Sequence, residues 1–194
     1  MWKTITGNLY KGVQIQIWCN IAAAVFALIG VLTIASDIAS GDLFGALVWD
    51  TWDTLGLIAN LGAIYGFWVF FSNLKPWQAI VAQEDAKAVG NIYTATLLQM
   101  IAIVLTYIPF VNLVAGILNI IAWVMLLIAY SNLKNSATFP AKEGAGKIFT
   151  AMILSVVGAI IAWIPIIGLI GSILAIVALV MTLNGWKAIA NAEA

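Results

Sequence analysis

Apolar residues run along this chain in long blocks that polar residues interrupt only briefly. A helix needs about 20 mostly apolar residues to cross the hydrocarbon core of a bilayer. On that measure the blocks predict helices near 13–35, 54–73, 90–107, 110–131, 148–163 and 166–186. The stretches 90–131 and 148–186 are each about twice the length of one span. Each carries a proline midway, in "YIPFVNLVAGILN" and "WIPIIGLIGSILA". Proline disfavours helix in the residue before it and suits the first turn of the helix after it. Pro109 and Pro165 are therefore expected at the tips of two helical hairpins.

The same phrases recur. "GNIYTATLLQ" from Gly90 matches "GKIFTAMILS" from Gly146 without a gap through to the Ile-Pro turn, and "GNLYKGVQIQ" from Gly7 matches both. "FSNLK" ending at Lys75 likewise matches "YSNLK" ending at Lys134. Repeats of an even number of spans share one orientation and can close about an axis along the membrane normal. The expectation is an all-α integral membrane fold in a single domain, 1–194. It has six transmembrane helices as three repeated helical hairpins in a pseudo-threefold bundle. The repeats cover 7–75, 90–134 and 146–190, the first lengthened by an outer-loop insertion near 25–53.

Composition agrees with lipid as the solvent. The chain is 64% hydrophobic and 8% charged, where soluble domains carry roughly 25% charged residues. Eight lysines balance eight acids, so the basic excess of a nucleic-acid binder is missing. There is no arginine and no histidine, which removes bidentate phosphate clamps, imidazole metal ligands and the commonest general base. Cys19 is the only cysteine, so no intrachain disulfide is expected. The start "MWKTITGNLYK" resembles a signal-peptide n-region, but the apolar run after it is too long for a cleaved segment and reads as a first span.

Charge sets the orientation. Every lysine falls in the N-terminus, the second-to-third connection, the fourth-to-fifth connection or the C-terminus. With six spans these all lie on one side, which the positive-inside bias makes cytoplasmic. Both termini are thus expected inside, with a bacterial inner membrane as the default location.

Candidate chemistry is sparse. Gln16, Asn60, Gln99, Asn119 and Ser155 fall near the middle of their spans. A buried amide in lipid must find partners, so these side chains are expected to point into the bundle. There they would serve as interhelical hydrogen-bond glue or line a path for a solute or ion. Gly62 and Gly66, and Gly168 and Ser172, form small-xxx-small pairs that suit close helix packing. The first outer loop holds Asp37, Asp42, Trp49, Asp50, Trp52 and Asp53, a surface for an outer partner or a cation. No titratable residue clearly lies inside a span, which counts against proton relays and a membrane enzyme. No cofactor and no metal are expected. The favoured reading is a non-catalytic accessory or scaffold subunit packing in the bilayer against another membrane protein, or against itself as a homo-oligomer. The alternative is a small pore for a neutral solute or ion.

Overall fold

The computed structural model describes residues 1–42, 51–106, 108, 111–164 and 168–193. The expected turn prolines Pro109 and Pro165, together with Trp49 and Asp50, lie outside them. Among the described residues six helices follow in order: α1 (Trp2–Ser40), α2 (Thr51–Ile80), α3 (Gln83–Thr106), α4 (Asn112–Asn135), α5 (Lys142–Ala162) and α6 (Gly168–Asn191). All six are long and apolar enough to cross a membrane. The fold class is all-α.

The helices overrun the apolar blocks. α1 begins at Trp2, and α2 continues through Pro76, so that only Val81 and Ala82 separate it from α3. Bilayer thickness limits the apolar block, whereas packing decides where a helix stops. Leu74 and Trp77 are fully buried, which holds α2 together past a proline that lacks an N–H. α1 ends differently. Gly41, at φ 85°, takes the left-handed conformation, and the Gly41 and Asp42 N–H groups donate to the Ile38 and Asp37 carbonyls at 3.1 and 2.9 Å. These two bonds form a Schellman C-cap, which glycine makes at little steric cost.

The chain divides into two compact units, Lys11–Val69 and Met1–Tyr10 with Phe70–Ala194. Within Lys11–Val69, α1 and α2 run antiparallel. A Cβ built on Gly66 would stand 2.6 Å from the Gln16 backbone nitrogen and 2.8 Å from the Gly12 oxygen, one on Gly62 would stand 2.6 Å from Cys19 Sγ, and one on Gly30 would stand 3.7 Å from Trp52. Partner numbers rise as α2 is read backwards. Gly66 stands against the α1 backbone, while Gly62 faces the Cys19 side chain.

In the other unit α3 packs on α4, α4 on α5, and α5 on α6. The seams are made of small residues seven apart: Ala88, Ala95 and Ala102 in α3, and Ala115, Ala122 and Ala129 in α4, all buried. In α5 and α6 the same role falls to Gly144, Ala151 and Gly158, and to Gly171, Ala178 and Gly185. Each of these lies fifty-six residues after its α3 or α4 counterpart, as Gly144 follows Ala88 and Gly185 follows Ala129. Seven residues are close to two helical turns, so a small residue returns to one face and lets backbones approach. A Cβ on Gly144 would meet the Gly185 oxygen at 2.6 Å, and one on Gly171 would meet the Gly158 oxygen at 2.5 Å. Because 144 faces 185 while 158 faces 171, α5 and α6 are antiparallel.

An aromatic cluster closes the lysine-bearing end of this unit. Trp2, Phe70, Trp77, Tyr130, Phe139 and Trp186 are all buried there. Their rings meet edge to face, at 5.6 Å for Trp77 with Trp186 and 5.1 Å for Phe70 with Trp186. The Trp2 indole N–H donates to the Ile189 carbonyl at 3.1 Å, which ties the start of α1 to the end of α6. The buried Trp77 N–H has no oxygen or nitrogen acceptor; the rings packed around it offer π faces instead.

Candidate functional site

The midplane amides were expected to face inward, and their placement differs. Gln16 and Gln99 are half-buried, while Asn60, Asn119 and Ser155 are exposed. The Ser155 hydroxyl donates to the Met152 carbonyl of its own helix at 2.8 Å. Among the described residues none of the four amide side chains has a hydrogen-bond partner. The reason lies in the seams. On α4 the inward line is taken by Ala115, Ala122 and Ala129, and Asn119 falls on the flank of that line, out of the packed interface.

Asn20 was missed from the sequence and belongs with this set. It is exposed on α1 and adjoins Cys19, whose sulfur faces Gly62. Asn60 lies within one turn of Gly62 on α2. The two amides are therefore at the same depth on an antiparallel pair, in a window of α1 that is only 6% buried. A polar residue inside an apolar block was the available signal; its position beside the contact became visible only with the α1–α2 register.

Buried polar residues are few. They are Thr6, Thr96 and Asp85 among the described residues. Thr6 and Thr96 donate to carbonyls of their own helices, Trp2 and Ile92, at 2.8 and 2.7 Å, so neither offers a free group to a passing solute. Asp85 is 3% exposed. Its carboxylate accepts from Thr138 Oγ1 at 2.8 Å, and Thr138 Oγ1 in turn lies 3.1 Å from Ser136 Oγ. The Ser136 oxygen also accepts the Thr138 and Phe139 backbone N–H groups at 3.2 Å. This chain ties the α4–α5 connection to the start of α3. It is a structural clasp beside a shallow recess of about 300 Å³.

The other candidates fall as follows. Gly168 opens α6 and Ser172 is exposed; Gly171, the residue before Ser172, and Gly185 make close approaches to α5. The stretch expected as a loop is partly helical instead. Asp37 lies half-buried in α1, and Asp42 is exposed just past its C-cap. Trp52 and Asp53 belong to the first turn of α2, Asp53 exposed and the Trp52 ring 6.3 Å from Phe26. Among the described residues no three acidic, cysteine or histidine side chains gather as metal ligands.

Lysines at the clustered end rest on aromatic rings. Lys75 Nζ stands 5.0 Å from the Tyr93 ring centre and Lys134 Nζ 3.6 Å from that of Phe149. These contacts join matched sequence positions, the lysine of "SNLK" and the aromatic residue of "GNIY" or "GKIF". Lys147 pairs with Glu143 at 2.6 Å and holds that carboxyl below its ordinary range through a hydrogen bond and its charge. Comparison with family models, curated proteins and solved structures gives no match, so the functional reading rests on the residues themselves.

Proposed function

We propose that this protein is a non-catalytic membrane subunit that packs against another membrane protein or against copies of itself. One observation carries the reading: Asn20, Asn60 and Asn119 are exposed within apolar helices and have no hydrogen-bond partner among the described residues. An amide facing hydrocarbon without a hydrogen bond is costly, and a helix from a second protein relieves that cost. The small-residue seams and the scarcity of buried polar groups support packing over conduction. In the proposed topology the three helix pairs are repeats of one hairpin in a pseudo-threefold bundle. Both termini are cytoplasmic, in a bacterial inner membrane. The recurring seams and the paired lysine–aromatic contacts support the repeat.

The test is copurification of the full chain from its native membrane in mild detergent. A stoichiometric companion or a defined homo-oligomer is the expected result. A monomer without companion that carries solute flux in liposomes would replace this reading with a pore.

A further inference from the structure

We infer that α4 carries a self-association surface, centred on Gly116 and Asn119, that pairs with the same surface of a second copy of this chain. The inference rests on the proposed role in membrane packing and names the partner for one helix. Asn112, Gly116, Asn119 and Trp123 follow one another at four, three and four residues, so they form a stripe down α4. Asn112, Gly116 and Asn119 are exposed, and Trp123 is half-buried. A Cβ built on Gly116 meets nothing within 4 Å, whereas one on Gly66, Gly144, Gly158, Gly171 or Gly185 would stand 2.5 to 2.9 Å from an atom of the neighbouring helix. Those glycines are used inside the chain. Gly116 leaves a notch in the surface of α4, beside an amide that has no hydrogen-bond partner among the described residues.

The occupant follows from depth and chemistry. Copies inserted in one orientation present Asn119 at the same level in the bilayer. A two-fold axis along the membrane normal then sets each residue of α4 opposite its own counterpart. Asn is both donor and acceptor, so an Asn119 pair satisfies itself across the axis. The Gly116 notch lets the two backbones come close enough for it. Asn112, about 10 Å nearer the end of the helix at 1.5 Å per residue, gives a second level of the same pairing.

The experiment uses the purified full chain in liposomes, diluted in lipid, with oligomer fraction read by single-molecule photobleaching. Wild type is expected to dimerise. Asn119→Leu and Gly116→Ile should each weaken the dimer about tenfold, the range of a membrane amide contact, and Asn119→Gln should retain it. Independently of these variants, Ile120→Cys in a Cys19→Ser background should cross-link between copies on oxidation, while Ile176→Cys on α6 should not. A monomer at all dilutions, or a dimer indifferent to Asn119→Leu and Gly116→Ile, overturns the inference. So does cross-linking at 176 in place of 120. A monomer in pure lipid that still copurifies with a different protein sinks self-association and leaves the subunit role standing. A pure dimer without companion supports both.

Discussion

Two glycines of the same chemistry have opposite tolerances here. Gly171 is closed in by the Gly158 oxygen and Ala162 backbone, so Gly171→Val forces two helix backbones apart. Overpacking of this kind costs about 1–3 kcal/mol, and thermal unfolding in detergent should fall accordingly. Gly116→Val meets no atom of its own chain and should leave the melting temperature of the monomer in place. Asp85→Ala removes the acceptor of Thr138 from a buried site, at about 1–3 kcal/mol. Asp85→Asn, which keeps an oxygen, should recover much of that. Glu143 offers the contrasting case. Its lowered carboxyl makes the Lys147 pair stabilising above the ordinary carboxylate range, and this is lost as pH falls through the lowered value. The Glu143 carboxylate is exposed to solvent screening, so Glu143→Gln should melt with wild type at pH 7. A measurable shift there would show the pair to be less screened than its position implies.

At the scale of helices, the seams explain why α5 and α6 stay paired although each presents apolar residues all round. Ile153, Val156 and Ile160 on α5, and Ile173, Ile176 and Val180 on α6, are exposed, so lipid contact does not distinguish faces. Backbone approach does. Only the line of Gly144, Ala151 and Gly158 fits against Gly171, Ala178 and Gly185. The two close contacts, 144 with 185 and 158 with 171, put 151 level with 178. Ala151→Cys with Ala178→Cys, in a Cys19→Ser background, should therefore form an intrachain disulfide on mild oxidation, seen as a mobility shift. Ala151→Cys with Ala175→Cys, nearly a turn out of register, should not. Equal bridging of both pairs would mean that the two helices slide, and the seam would lose its meaning.

For the whole molecule the exposed test is topology. With both termini inside, an impermeant thiol reagent added from outside should label Asp42→Cys and miss Lys142→Cys, again without Cys19. The reverse pattern would invert the orientation and with it the positive-inside argument. The functional alternative is decided in the same vesicles. If the amides line a path, Gln99→Leu with Asn119→Leu abolishes flux and leaves stability unchanged. If they serve association, there is no flux to lose, stability of the monomer is again unchanged, and the oligomer fraction falls.

By itself the sequence determined the all-α class and the six apolar blocks, because a bilayer demands unbroken apolar length and the chain supplies it six times. It also marked Gly62 and Gly66 as a small-residue pair, of which Gly66 stands against the α1 backbone and Gly62 against the Cys19 side chain. What lay beyond it was facing. In a soluble helix polarity marks the outside, but lipid and protein interior are equally apolar, so Ile and Val on α4 carry no direction. Only the packed structure decided that Ala115 and Ala122 take the seam and that Asn119, a few residues away, stands outside it. Helix ends were lost for a related reason. Apolar length reports the thickness of the membrane, while the run of α1 to Trp2 and of α2 past Pro76 is set by an aromatic cluster assembled from residues far apart in the chain.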